Sequence, residues 1–290
     1  MKIFKYIIAV IVLTACSKDR IELLEENISY ESMDSFLEAN RPSAQVFSVD
    51  TGDSGPIIAN GGTQLWLDSS VFVGPDGVSP SYPFEVRLLE LYSISDMILW
   101  DVTTGRDGNL PLFSEGIMKL NAFKDSEELS VKFGKEYSVD FVRHHGQVAN
   151  LFEGYGGNGS QATYWLPSTI DLVDNQSFVT FGASSIGWLH AYGSPSLNAI
   201  NSHLSLDIPG FDTQNVKQIF IIGDYNALLP VQGGLTLKGG LNVKVVCFAK
   251  QGMDEYKWFE KTVNLTTNKN IEVVFETVSE QGLLSKITSL

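Results

Sequence analysis

Short runs of alternating apolar and polar residues, divided by turn-forming residues, fill this chain from Gln45 onward. In residues 63–67 and 84–92, every second position is apolar over most of the run. When apolar residues recur with a period of two, their side chains all lie on one face of a β-strand. Asp-Gly pairs at residues 76–77 and 107–108 have the chemistry of hairpin turns. The pattern predicts a mainly β protein.

The second half of the chain repeats this pattern. Residues 217–222 and 241–248 are apolar enough along their length to be central strands, covered on both faces. Many short strands with turn signals between them are typical of β-sandwiches. We therefore expect two β-sandwich domains of Ig-like type, over residues 45–160 and 161–290. The boundary follows the glycine-rich segment 151–161, which we interpret as a flexible loop or linker.

The N-terminus has the three parts of an export signal. Lys2 and Lys5 are followed by an apolar stretch, residues 6–13, and then by small residues before Cys16. An apolar run of about ten residues is too short to span a bilayer, which needs about twenty. The sequence Leu-Thr-Ala-Cys is typical of the lipobox of bacterial lipoproteins, so we expect residues 1–15 to be a removable signal peptide. The alternative is an ordinary secretory signal with a cysteine there by chance.

Lipidation of Cys16 by acyl chains such as palmitate would anchor the protein to a membrane without spanning it. Ser17 follows, where an Asp would often mark retention at an inner membrane, so we expect the cell outer membrane and leave its periplasmic or surface face open. Residues 16–44 are then expected to be a tether that holds the folded part away from the membrane. Ser32 can cap a short helix within it, and residues 279–290 are expected to form another.

The chain is acidic, with 20 Lys and Arg against 34 Asp and Glu and a formal charge of −14. Loss of Lys2 and Lys5 with the signal peptide takes away two positive charges and leaves −16. Phosphate binding needs a basic surface, so nucleic acid is excluded as a partner. The same charge argues against electrostatic attraction to anionic lipid.

The chain has two cysteines, Cys16 and Cys247, and this small number limits its redox chemistry. If Cys16 carries lipid, no intramolecular disulfide can form, and a zinc site of several cysteines is excluded. Cys247 lies in an apolar run and is expected to be a small buried apolar residue.

Several segments resemble a group of exported proteins, mostly lipoproteins, of the Bacteroidota. The most specific piece is the run from Glu85 to Leu99. The matching residues of the first half are Ile58, Ala59, Asn60, Gly61, Gly62, Leu65, Leu67, Val71, Phe72, Asp76, Gly77, Glu85, Val86, Leu88, Glu90, Leu91, Tyr92, Ser93, Ser95, Asp96, Met97, Ile98, Leu99, Thr103, Thr104, Gly108, Leu110, Ser114, Glu115 and Gly116. They resemble a β-sandwich module named in ankyrins and netrin receptors.

Ser185 and the run Gly187 to Leu189, with residues 204–208 and 219–224, resemble the companion β domain of the same proteins. The resemblance implies a fold and an exported location, and no catalytic residues go with it. Three features depart from it: Gly62 is an extra residue in a turn, residues 68–70 replace a proline-containing segment, and His190 stands where Asn is usual.

No motif predicts catalysis. A serine nucleophile elbow needs glycines four positions apart around the serine, whereas Gly182 and Gly187 are five apart. His144 and His145 are neighbours on a predicted strand and would point to opposite faces. His190 and His203 lack a partner at ligand spacing. We therefore expect no catalytic residues, no metal ligands and no cofactor.

Carboxylates are too abundant to identify a site by themselves. With 34 acidic residues, a pair at the spacing of a glycosidase can always be found. Asp50, Asp53, Asp107 and Asn109 are candidate calcium ligands, but they lack EF-hand spacing and are typical of turns.

Five tryptophans could offer stacking platforms to a sugar, although an alternating aromatic is more often part of a core. Tyr164 and Trp165, next to the glycine-rich segment, are the candidate ligand-binding residues.

These observations lead to one main hypothesis and two alternatives. The main hypothesis is a membrane-anchored, non-enzymatic lipoprotein of the cell envelope that binds or scaffolds another envelope component. The first alternative is a glycan-binding accessory lipoprotein of an outer-membrane uptake system. The second is a hydrolase, for which the sequence supplies no motif.

Overall fold

The structure is a computed structural model that describes residues 30–52, 55–106, 110–144, 150–156, 164–175, 177–193, 201–231, 234–238, 240–252 and 254–290. The fold is mainly β, as the alternating sequence predicts. Its strands are β1 (Gln45–Val49), β2 (Ile57–Ile58), β3 (Gln64–Trp66), β4 (Phe72–Val73), β5 (Phe84–Leu91), β6 (Gly105–Arg106), β7 (Leu110–Pro111), β8 (Phe113–Lys124), β9 (Glu127–Glu128), β10 (Ser130–Val131), β11 (Tyr137–Val142), β12 (Asn150–Tyr155), β13 (Tyr164–Pro167), β14 (Val173–Asp174), β15 (Phe178–Ala183), β16 (Gly187–Gly193), β17 (Asn201–Asp207), β18 (Val216–Ile222), β19 (Ala227–Pro230), β20 (Gly234–Lys238), β21 (Leu241–Gln251), β22 (Glu255–Leu265), β23 (Lys269–Glu272) and β24 (Glu276–Val278).

Three α-helices accompany the strands: α1 (Met33–Ala39), α2 (Ile94–Leu99) and α3 (Glu280–Thr288). The side chain of Ser32 caps α1, as predicted, and Ser279 caps α3 in the same way. Helix α2 was not predicted from the sequence. Its signal is local, because Ser93 accepts a hydrogen bond from the backbone of Asp96 and so caps the first turn. A helix that is long and apolar enough to cross a membrane is not found in the described part of the chain.

Two sheets form a first sandwich. The first sheet has the strand order β1-β5-β8-β16-β12-β13, with β9 paired to β8, and the second has the order β14-β15-β11-β3-β2. Strand β11 shows why they face each other: Tyr137, Val139 and Phe141 are buried and alternate with less buried residues. The predicted inward direction of Leu65 and Leu67 is confirmed, since both lie in the core between these sheets.

Two further sheets form a second sandwich. The third sheet has the order β19-β18-β21-β22-β24, and the fourth has the order β20-β17-β23. Strands β18 and β21, predicted as central, lie inside the third sheet and are buried along most of their length. Val245, Phe220 and Leu237 belong to the core between the two sheets.

A third cluster of buried residues, here called the central core, joins the two sandwiches. It combines the outer face of the first sheet, the outer face of the third sheet and all three helices. Representative members are Leu91 of β5, Phe36 of α1, Phe248 of β21, Trp258 of β22 and Leu283 of α3. The two sandwiches therefore share one continuous apolar contact.

Strand pairing places the division of the chain later than the expected boundary at residues 160 and 161. Strands β13, β15 and β16 come after that boundary, yet they pair with β12, β11 and β8 of the first half. Since β12 and β13 are antiparallel neighbours in one sheet, the glycine-rich residues between them connect two strands of one sandwich. Glycine-rich composition is shared by hairpin loops and linkers, and the sequence alone does not separate them.

Helix α1 also differs from the expected tether over residues 16–44. Met33, Phe36 and Leu37 are buried against the body of the protein. The ring of Phe36 lies 5.3 Å from that of Tyr256. Helix α1 and strand β1 are therefore parts of the folded unit, and only residues before Tyr30 are left to act as a tether.

The residues behind the family resemblance form a hydrogen-bonded clamp in the first sandwich. The carboxylate of Glu90 accepts bonds from the backbone N–H groups of Gly61, at 2.8 Å, and Thr63, at 3.1 Å. The hydroxyl of Tyr92 lies 2.6 Å from that of Thr63, and its ring covers Gly116 so closely that a Cβ there would lie 2.5 Å from it. This run of the sequence has a structural role.

Candidate functional site

A cleft of about 570 Å³ opens where α1, the end of α2 and strand β18 meet. Its rim carries Glu31 and Asp34 at the start of α1, Asp101 after α2, and the residues 213–215 that precede β18. Buried apolar residues of the central core form its floor. The cleft therefore lies directly beside the point where the described chain begins.

Lys217 spans this cleft and forms ion pairs with residues on two of its walls. Its Nζ lies 2.9 Å from a carboxylate oxygen of Asp34 and 3.0 Å from one of Asp101. Burial by itself lowers the pKa of Lys217, but the charges and hydrogen bonds of the two aspartates outweigh that effect, and the pKa lies above its usual value. The lysine is therefore protonated at neutral pH and cannot act as a nucleophile.

Two local features hold the polar groups of the cleft in place. Asp101 adopts a left-handed backbone conformation, with φ of 52°, which Asp tolerates better than most residues. Gln218 is buried, and its side-chain amide donates to the carbonyl of Thr213 at 3.2 Å. An apolar floor with a few fixed polar groups is the usual composition of a binding site. The cleft can orient a ligand, but its lysine supplies no reactive lone pair.

Tyr164 lies on an exposed surface at the far edge of the first sheet. Its side chain is 56% exposed, and Tyr155, directly opposite on β12, is 51% exposed. Glu153 lies on the same face of β12, and its carboxylate accepts bonds from the hydroxyls of Tyr155 and Ser168, each at 3.0 Å. This surface offers two tyrosine side chains beside a fixed carboxylate. The bond to Glu153 is also the main cause that raises the pKa of Tyr155.

Trp165 does not belong to this surface. It points to the other face of β13, is 2% exposed, and donates from Nε1 to the carbonyl of Thr103 at 2.6 Å. The sugar-stacking role considered for Trp165 is therefore wrong, because alternation along the strand exposes Tyr164 and buries its neighbour. Its ring packs against that of His190, 4.9 Å away.

His190 and Ser114 form a buried pair that resembles part of a hydrolase site. The Nε2 atom of His190 lies 3.0 Å from the hydroxyl of Ser114 on the adjacent strand, 76 positions away in sequence. Both side chains are about 1% exposed or less. Burial lowers the pKa of His190 to about 3, and its Nδ1 has no hydrogen-bond partner among the described residues. A base without an orienting acid, closed off from solvent, does not form a catalytic triad.

The other candidate residues have structural surroundings or lie outside the described residues. Cys247 is fully buried, as predicted, and burial raises the pKa of its thiol to about 12. The backbone N–H of His144 donates to the buried carboxylate of Glu115 at 2.8 Å, just after the end of β11. Asp50 accepts a bond from Ser48. The residues that lie outside the described part of the chain are Cys16, Asp53, Asp107, Asn109 and His145.

Acidic, histidine and cysteine side chains are dispersed in the structure. Within the described ranges, no three of them come together in a way that could hold a metal ion.

The cleft was not predicted from the sequence. Its residues come from five separate stretches of the chain, and none of these carries a motif. A local signal is Lys217, a charged residue near the start of strand β18, whose residues after Gln218 are all apolar.

No family model, curated protein sequence or solved structure matches this chain. The resemblance to exported lipoproteins of the Bacteroidota stays a prediction.

Proposed function

We propose that this protein is a lipid-anchored, non-enzymatic component of the bacterial cell envelope that binds another envelope component through the α1 cleft. The observation that carries the proposal is the cleft itself, whose rim starts at Glu31 and whose Lys217 pairs with both Asp34 and Asp101. The two sandwiches, which we take to be Ig-like domains, serve as its scaffold.

The position of the cleft supports a role close to a membrane. Cys16 and Tyr30 are fourteen positions apart in the sequence. A fully extended chain spans about 3.5 Å per residue, so the anchor and the body are at most about 50 Å apart. A partner in the same membrane, or bound to it, is within reach of a cleft at this end. Outer-membrane attachment follows from the residues around Cys16 and remains part of the proposal.

The cleft is tested by filling it. Gln214 is exposed on the rim, so Gln214→Trp occupies the opening without removing a core side chain. Lys132→Trp, on an exposed turn of the first sandwich, is the matched control. In a pull-down from detergent-solubilised envelopes, we expect a reproducible partner with the wild type and the control, and its loss with Gln214→Trp. Equal recovery with both variants contradicts the cleft, and recovery of no partner contradicts the binding role.

The anchor is tested separately. Cys16→Ala should move the protein from the membrane fraction to the soluble fraction, whereas Cys247→Ala should leave it in the membrane fraction. Mass spectrometry of the mature N-terminus provides the direct measurement. An unmodified Cys16, or membrane fractionation that survives Cys16→Ala, would show that the lipid assignment is wrong.

A second candidate function, glycan binding, is favoured by the surface that contains Tyr155, Tyr164 and Glu153. Exposed aromatic side chains present apolar faces to sugar rings, and a fixed carboxylate can accept bonds from their hydroxyls. Tyr164→Ala should weaken oligosaccharide binding by about fivefold, since such a contact contributes about 1 kcal/mol. Trp66→Ala, which removes a partly exposed aromatic of the second sheet, is the control in the same calorimetric titrations. If Tyr164→Ala and the wild type bind alike, the surface has no such role.

A further inference from the structure

We propose that two loops of the second sandwich form an apolar tip that contacts the lipid interface of the membrane carrying the anchor. The tip consists of Pro209, Phe211, Val274 and Phe275, on the segments that follow β17 and β23. The inference rests on the proposed lipidation of Cys16.

The apolar tip is exposed to solvent. Val274 is 71% exposed and Pro209 is also exposed, while Phe211 and Phe275 are only partly buried. The rings of these two phenylalanines lie 4.6 Å apart, beside a shallow groove of about 290 Å³. Clustered exposed apolar side chains mark contacts with proteins or membranes more often than single ones do.

The tip and the start of the described chain lie at the same end of the molecule. Tyr30 packs on Phe36 at 5.5 Å, and Phe36 packs on Tyr256 at 5.3 Å. Lys257, the next residue of β22, faces the opposite side of the strand and lines the groove of the tip. The turn after β21 links the two places as well, since Gln251 lines the groove and Gly252 lines the α1 cleft.

The length of the chain before Tyr30 limits how far the body can lie from the membrane. With at most about 50 Å between the anchor and Tyr30, the end that carries Tyr30 stays within about 50 Å of the bilayer. The apolar tip is at that end, on the other side of strand β22. We therefore infer that the tip contacts a lipid surface.

The charge of the protein specifies the kind of contact. The expected net charge of −16 for the mature chain opposes attraction to anionic lipid. Near the tip, Lys257 is paired with Glu255, and the ammonium of Lys250 donates to the carbonyl of Gly252. The contact should therefore depend on burial of Val274 and the two phenylalanines in the interface. We expect it to occur on uncharged phosphatidylcholine and to persist at high salt, which screens electrostatic attraction.

An environment-sensitive fluorophore tests this contact. Val274→Cys introduces an exposed thiol, while Cys16 carries lipid in the mature protein and Cys247 is buried, so position 274 is the site that reacts. Phe133→Cys, at a fully exposed position of the first sandwich, is the matched control. In phosphatidylcholine vesicles, the label at position 274 should shift to shorter wavelength and be quenched by bilayer-embedded quenchers. The label at position 133 should do neither.

A second arm separates failure of the tip from failure of the anchor. The same labelled variants, with residues 1–16 replaced by a histidine tag, are attached to vesicles through nickel-chelating lipid. If the native protein does not float with vesicles, the lipidation proposal fails and this arm still tests the tip. If the tethered protein shows the same emission at positions 274 and 133, the tip does not contact lipid and the inference is overturned.

Discussion

His190 occupies a fully buried site between the first sheet and the central core, hydrogen-bonded to Ser114 and packed on Trp165. Desolvation of the imidazolium lowers its pKa to about 3, so the ring is neutral in the folded protein at neutral pH. A neutral imidazole costs less to bury than a charged one, which would be without a counter-ion. Protonation of His190 at acid pH should therefore destabilise the folded protein.

The stability of the protein should fall with acid because of His190. Between the ordinary pKa of about 6.5 and the folded pKa of about 3, the unfolded chain binds a proton that the folded chain excludes. The free energy of unfolding should then decrease by up to about 1.4 kcal/mol per pH unit over that window. His190→Gln removes this contribution, and urea unfolding at a series of pH values measures it. The surface variant His203→Gln should keep the wild-type slope; an unchanged slope in His190→Gln would disprove the assignment.

Glu90 provides a second test at the residue scale. Its carboxylate accepts bonds from two backbone N–H groups and from the side chain of Gln45. Glu90→Gln replaces one accepting oxygen with a donor and leaves a backbone N–H without its acceptor. We expect a loss of about 1–3 kcal/mol in the free energy of unfolding. Glu127→Gln, an exposed change of the same kind, should alter it by less than about 0.5 kcal/mol. Equal effects of the two variants in urea unfolding would mean that the clamp does not contribute.

At the scale of elements, α1 shows how a seven-residue helix can be stable in this fold. A helix of this length is not stable in water by itself, so its order comes from Phe36 and Leu37 in the central core and from the ion pair between Asp34 and Lys217. Because the predicted tether precedes α1, a force on the lipid anchor would be transmitted to the folded part of the protein through this helix.

Phe36→Ala should destabilise the protein by about 3–5 kcal/mol, the usual cost of removing a fully buried phenylalanine ring. Phe133→Ala makes the same chemical change at a fully exposed position and should stay within about 0.5 kcal/mol of the wild type. Denaturant unfolding measures both, and hydrogen exchange should show faster opening of residues 33–39 in Phe36→Ala. Similar stability of the two variants would mean that α1 is not part of the cooperative core.

At the scale of the whole molecule, the central core makes the two sandwiches depend on each other. Its buried residues come from β5, β8, β16, β18, β21 and β22 as well as from the helices. Polar contacts cross the same contact region: the backbone N–H of Thr104 donates to the carbonyl of Leu228 at 2.8 Å, and Asn226 donates to the carbonyl of Tyr92 at 3.0 Å. Separation would expose the apolar outer faces of both the first and the third sheet.

We therefore expect a single cooperative unfolding transition for the chain, seen alike by calorimetry and by tryptophan fluorescence. A fragment covering residues 30–193 contains all strands of the first sandwich but exposes Leu91, Ile117 and Trp188. This fragment should be aggregated or loosely packed, since its exposed apolar face would be larger in area than the apolar patches that soluble monomers usually expose. A soluble fragment with its own sharp transition would show that the sandwiches fold independently.

The sequence by itself was sufficient for several local elements, although not for α2. The period of two predicts the burial of Leu65 and Leu67, and the capping serine Ser32 predicts α1. The helix expected over residues 279–290 is α3. Burial of Cys247 also follows from its apolar neighbours. These features depend on residues close together in the chain, which is why a single sequence reveals them. The export signal and the lipidation of Cys16 stay predictions from sequence.

Tertiary structure alone decided which strands pair, where the chain divides, and what the cleft is made of. Trp165 and Tyr164 are equally plausible surface residues in the sequence, and only the packing of β13 buries the first and exposes the second. The partners of Lys217 lie 116 and 183 positions away in the chain. The physical reason is that long-range strand pairing and side-chain packing depend on contacts between distant segments, whereas alternation and capping act between neighbours.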